Sequence, residues 1–125
     1  MKFTWSAAVI VVLASTSVWA TRADLARARS LFNQRQFDGA IEAALVAQKT
    51  PDTQDTATVV LALAHLERYR ERANPADLSA ARSALGTVRV TALDARDNID
   101  FLLALGEALF FADDYGAAAL IFESG

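Results

Sequence analysis

The sequence predicts an all-α chain of three antiparallel helix pairs behind a short apolar leader. Three observations carry this expectation. Apolar residues fill 54% of the 125 positions, alanine is frequent among them, and only two prolines and five glycines interrupt the chain. Alanine is the strongest helix former and lets helices approach one another closely. Beyond residue 20 the apolar positions recur at the i, i+3, i+4, i+7 spacing of amphipathic helices. Finally, an apolar residue followed three positions later by alanine recurs at Phe37/Ala40, Leu78/Ala81 and Tyr115/Ala118, at intervals of 41 and 37 residues. Repeats of 20–50 residues are the mark of solenoids.

The leader is read first. Lys2 precedes the apolar run Ala7–Ala14, followed by Ser15-Thr16-Ser17 and Val18-Trp19-Ala20. A positive start, a short apolar core and a small-x-small end form a signal peptide over residues 1–20, cleaved after Ala20. The alternative is a membrane anchor retained over residues 4–20, although a span needs about 20 apolar residues. Cleavage would leave a domain of residues 21–125 with net charge −4, Lys2 being removed from a chain of net charge −3. The protein is then expected to be exported, periplasmic or extracellular, or else membrane-anchored. The chain has no cysteine, so it has no disulfide framework.

The helices follow in order. Segment 22–34 carries Leu25, Ala28, Leu31 and Phe32 on one stripe, with a break at Gln34-Arg35-Gln36. The second helix opens after Phe37 at Asp38-Gly39 and lines up Ala40, Ile41, Ala44, Leu45 and Ala47. Residues 50–53 read as a loop, with Thr53 or Asp55 capping a third helix that runs to about Arg70. Asn74-Pro75-Ala76-Asp77 is a helix start, with a cap residue, proline in the first turn and an acid behind it. The fourth helix carries Leu78, Ala81, Leu85 and Val88, and the alternating Thr87–Thr91 reads as its end and a loop rather than a strand. Residues 90–97 are expected to be a loop leading into the fifth helix. Asp113-Asp114 is a turn and cap before the sixth, which runs from Tyr115 to about Glu123.

The last pair resembles a tetratricopeptide repeat. Leu102, Leu105, Gly106 and Leu109 stand in the family's first helix, and Tyr115, Ala118 and Phe122 in its second, at the family's spacing. Two of the family's aromatics are leucine here. Ala28, Phe37 and Ala40 place the first pair on the same pattern, with Ala44 in the position of Phe122, while the middle pair has extra residues over Arg70–Asp77. The resemblance implies a right-handed α-α superhelix over residues 22–125. It also implies that Gly106 and Ala118 are small where two helices cross, with Tyr115 and Phe122 filling the groove between them. The sixth helix is almost uncharged, and a repeat stack exposes apolar surface at an uncapped end. The repeat domain is therefore expected to be incomplete at its C-terminus, the alternatives being self-association through this helix or an exposed apolar patch.

No catalytic, cofactor-binding or metal-ligating residue is assigned, and the chain is not expected to be an enzyme. His65 is the sole histidine, so two histidines cannot share a metal within one chain. No phosphate-binding glycine loop is present, and the mild net charge with no basic run excludes a nucleic-acid partner. Asp94, Asp97 and Asp100 suit a helix start.

What the resemblance implies is a groove lined by the first helix of each pair, holding a protein or peptide. The residues placed there are Arg22, Leu25, Arg29, Phe32 and Asn33, then Leu61, His65, Arg68 and Tyr69, then Asp100, Leu103, Glu107, Phe110 and Phe111. Phe110 and Phe111 are neighbours on a helix and cannot face the same way, so one is core. The lysine and asparagine set that some members use to clamp a C-terminal carboxylate is missing, and only Arg29 and Arg68 could serve instead. The expected role is an exported adaptor or scaffold holding a partner segment in a cell-envelope assembly. The alternatives are a membrane-anchored scaffold subunit and a helical accessory domain of an enzyme continuing past residue 125.

Overall fold

The computed structural model describes residues 22–125, apart from the side chain of Tyr115. The signal peptide over residues 1–20 and the anchor over 4–20 lie outside the described residues. Six α-helices occupy the described chain: α1 (22–33), α2 (Phe37–Ala47), α3 (Pro51–Arg72), α4 (Pro75–Leu85), α5 (Ala95–Phe111) and α6 (Tyr115–Ser124). No described residue is in a strand. The helices pack as neighbouring pairs, α3 with α4 and α5 with α6; α3 also meets α2 and α5, and α4 meets α5. Ala28 of α1 is fully buried against Ala40, Ala43 and Ala44 of α2.

The turn inside each pair repeats. Arg35, Ala73 and Asp113 have φ of 60°, 52° and 62°, and each falls two residues before the first residue of the helix that follows. In the first pair, Gln36 N donates to Leu31 O at 2.9 Å and Arg35 N to Phe32 O at 2.9 Å. In the third, Asp114 N donates to Leu109 O at 2.9 Å and Asp113 N to Phe110 O at 3.0 Å. Both are Schellman closures, in which a left-handed residue lets the orphaned end carbonyls be satisfied. The middle pair uses the simpler left-handed form, with one bond from Ala73 N to Tyr69 O at 2.7 Å. Its α4 starts at Pro75, as the Asn74-Pro75 signature predicts, and Asn74 Oδ1 accepts from Ala76 N at 3.0 Å. Leu78 therefore lies one turn inside α4, whereas Phe37 and Tyr115 open their helices.

The core divides on either side of α3. From Ala57 to Ala64 every residue of α3 is buried. Val60, Leu61 and Ala64 pack with α1 and α2, while Val59, Ala62, Leu63 and Leu66 pack with Ala81, Leu85, Ala104 and Ala108 of α4 and α5. A helix covered on all sides has no polar face.

Several sequence-based assignments are corrected. Thr50, not Thr53 or Asp55, is the N-cap residue of α3, because Pro51 takes the first helical position. Thr53 is buried in the first turn, its hydroxyl donating to Ala47 O at 2.6 Å. Asp55 is buried too and clamps the loop after α4, accepting from Arg89 N at 2.9 Å and from Arg89 Nη2 at 3.0 Å. Leu45 is 48% exposed and leaves the α2 stripe. Val88 lies beyond the end of α4, packed against the second core cluster. The 90–97 loop shrinks to a 3-10 turn (Val90–Ala92) and two linking residues, since Asp94 caps α5 by accepting from Asp97 N at 2.8 Å.

Candidate interaction cleft

The first helices of the three pairs share a face. Arg29, Phe32 and Asn33 from α1, Val60, Leu63 and Glu67 from α3, and Arg96, Asp100, Leu103 and Glu107 from α5 line one cleft of about 170 Å³. The α3 and α5 sets follow helical spacing, so each presents a single edge to the opening. Phe32, Val60, Leu63 and Leu103 are its apolar lining, and the other six residues are polar or charged.

The cleft is braced by Asp97 beside it, which is only 6% exposed. Its Oδ1 accepts from Arg29 Nη2 at 2.8 Å and its Oδ2 from Thr56 Oγ1 at 3.1 Å, so one α5 carboxylate fixes α1 and α3. At the other end Arg70 Nη2 lies 3.2 Å from Glu107 Oε1, and Arg70 Nη1 lies 3.8 Å from Glu67 Oε1. Glu107 Oε2 is buried and accepts no hydrogen bond from a described residue. Burial pushes the Glu107 carboxyl above its ordinary range; Arg70 pulls it back and Glu67 pushes it further up. Asp100 is likewise raised, first by burial, with Arg96 opposing.

Of the residues assigned to the groove from sequence, Arg29, Phe32, Asn33, Asp100, Leu103 and Glu107 come together here. The α3 residues do not. His65 Nδ1 lies 2.9 Å from Asp77 Oδ1, and Arg68 reaches the same oxygen through Nε at 2.9 Å and Nη2 at 2.6 Å. Arg68 Nη1 also donates to Asp38 of α2 at 3.1 Å. Both side chains therefore hold α3 to α4 rather than line the cleft. Asp77 is 2% exposed, and its Oδ2 accepts no hydrogen bond from a described residue. Leu61 is core. Tyr69 packs edge-on to Phe111 with ring centres 5.2 Å apart, and Arg70 lies 5.3 Å over the same ring. Phe111 joins the core and Phe110 is 50% exposed outside the cleft lining. Arg22, on α1, lies 3.6 Å from Asp52. Leu25 packs against the first core cluster. Val60, Leu63, Glu67 and Arg96 were not identified from sequence. The α3 trio sits one or two positions from the assigned set, and an all-round apolar helix gives no signal that would choose between the two registers.

The packing residues fall as follows. Ala28, Phe37, Ala40, Ala81, Gly106 and Ala118 are buried, and Leu78 and Leu105 are partly buried against the second cluster. Phe122 is 44% exposed, with its ring over Gly106. The Tyr115 side chain lies outside the described atoms.

No protein family, curated protein or solved structure matches the chain.

Proposed function

We propose that the chain is an exported adaptor with a tetratricopeptide-like superhelix, holding a segment of a partner protein in the cleft between α1, α3 and α5. The observation that carries this is the cleft itself. Three successive first helices contribute an apolar lining with charged groups among it, a composition suited to an extended or helical peptide. Its volume, about 170 Å³, is below the roughly 300–1,000 Å³ of small-molecule sites. It suits one or two side chains of a longer segment. Support for the superhelix comes from the repeated intra-pair turns and from the packing of α3 against both α2 and α5. Export rests on the leader sequence, and the cell-envelope setting on the leader together with the family resemblance.

The test is a screen of random 12-residue peptides against the full chain, with affinities of the selected peptides measured by fluorescence anisotropy. The account expects Leu103→Asn to weaken binding about tenfold or more. Arg82→Ala, bordering a separate groove between α4 and α5, should leave it unchanged. Export is tested by sequencing the N-terminus of the protein from its host, with Thr21 expected and Met1 contradicting it.

A further inference from the structure

We propose that the cleft takes a cationic side chain, an arginine or lysine of the partner segment, seated among Glu67, Asp100 and Glu107 with an apolar neighbour against Leu63 and Leu103. The inference rests on the docking role proposed above and adds the chemistry of the occupant.

The two guanidiniums that sequence offered for a carboxylate are committed elsewhere. Arg29 is held at 2.8 Å by Asp97, which lies outside the lining. Arg68 spends Nε and Nη2 on Asp77 and Nη1 on Asp38, and does not reach the cleft. The carboxylates are in the opposite condition. An ionised carboxylate has about four acceptor sites. Among the described residues Glu107 receives one hydrogen bond, from Arg70 at 3.2 Å, and its buried Oε2 accepts none. Glu67 has a loose 3.8 Å pair with the same arginine. No described residue gives the Asp100 carboxylate a hydrogen bond or ion pair.

The charge balance points the same way. Arg29 and Asp97 cancel. Glu67, Asp100 and Glu107 then face Arg70 and Arg96, three negative charges against two positive, leaving one negative charge in surplus. Burial raises the carboxyls of both Glu107 and Asp100, so their ionised forms are short of solvation in the cleft. One incoming cation supplies what is missing. A charge placed between low-dielectric walls acts more strongly than one on an open surface. The aliphatic stem of an arginine or lysine can lie along Leu63 and Leu103 with its charged head among the acids.

The probes are the 12-residue peptides selected on the full chain and a synthetic version of the tightest, with its cationic residue replaced by citrulline, a neutral near-isostere of arginine (a lysine is first changed to arginine). Cleft binding is defined by loss on Leu103→Asn. The selected sequences should share an arginine or lysine beside an apolar residue. Citrulline should weaken binding by about tenfold or more, as loss of a charge-assisted hydrogen bond does. The pair Glu67→Gln and Asp100→Asn should weaken the arginine peptide by a similar factor while leaving the citrulline peptide unchanged. That second half guards against misfolding, which would abolish both. Cleft-binding peptides that are neutral or acidic, or an arginine no better than citrulline, overturn the cationic occupant and leave the docking role standing. Failure to find any cleft-binding peptide overturns both.

Discussion

Phe122 lies across Gly106 so closely that a methyl group there would enter its ring. A Cβ built on Gly106 would stand 2.7 Å from Phe122 Cδ1 and 2.8 Å from Cζ, with Cε1 nearer still. The α5–α6 crossing therefore requires glycine as long as the phenylalanine stays over it. Gly106→Ala should destabilise the protein by about 1–3 kcal/mol through overpacking, although alanine favours helix by about 1 kcal/mol. In a Phe122→Ala background the same change should stabilise by about 1 kcal/mol. Urea denaturation of the four proteins in the cycle reads the change of sign, and an equal effect of Gly106→Ala in both backgrounds would refute the contact.

The turn between α3 and α4 supports a second prediction. Ala73 is exposed and left-handed at φ 52°, a conformation that costs a residue with a Cβ roughly 1–2 kcal/mol. Replacing a helical alanine by glycine ordinarily loses about 1 kcal/mol. At Ala73 the sign should reverse, with Ala73→Gly gaining up to about 1 kcal/mol. Chemical denaturation beside a control change at exposed Ala76 would check it.

Asp77 governs the acid limb of stability. Burial alone would raise its carboxyl, but the hydrogen bonds from Arg68 and His65 outweigh it and leave it below the ordinary 3.8. A group depressed on folding contributes stability above its unfolded pKa and loses it as pH falls through the folded one. Asp77→Asn should therefore cost about 1–3 kcal/mol at pH 7, by removing the counter-charge of the partly buried Arg68. The gap between wild type and variant should begin to close below pH 3.8. Urea midpoints at pH 7, 4 and 3 test this, and a gap independent of pH would show that the contribution of Asp77 does not depend on its charge.

Glu107 predicts the opposite trend. Its carboxyl is raised by burial, so its contribution is fully present below the ordinary 4.5 and declines as pH rises through the higher folded value. Glu107→Gln keeps an acceptor for Arg70 and removes the buried charge. The variant should melt above wild type at pH 7 and match it below pH 4.5. It should also bind cationic peptides more weakly, a trade of stability against function seen where a site holds strained charge. A Tm difference that persists unchanged at pH 4 would contradict this.

Local signals in the sequence located the helices well. Asn74-Pro75, Asp94 and Asp113-Asp114 are cap and turn chemistry that depends on a few adjacent residues, and each acts at a helix start or turn. The α1 and α5 edges of the cleft were legible in part: Arg29, Phe32, Asn33, Asp100, Leu103 and Glu107 line it, whereas Arg96 was missed and Arg22, Leu25, Phe110 and Phe111 lie outside. The α3 edge was not. Over residues 57–64 that helix is buried on every side and apolar but for Thr58, so its pattern carries no direction, and His65 and Arg68 were placed in the cleft instead of against Asp77. The role of Asp97 was hidden for a different reason: a carboxylate in a first turn looks like a capping group until α1 brings Arg29 beside it. The left-handed Arg35 and Ala73 were invisible as well, since neither is the glycine or asparagine that usually marks such a turn.

The central claim is that the shared face of α1, α3 and α5 is where a partner segment docks. Hydrogen–deuterium exchange on the full chain, with and without the tightest selected peptide, tests it most directly. The account predicts slowed exchange in residues 29–33, 60–67 and 96–107, with α2, α4 and α6 little changed. Protection confined to α2, α4 or α6 would contradict it and move the binding surface to the opposite side of the helix pairs.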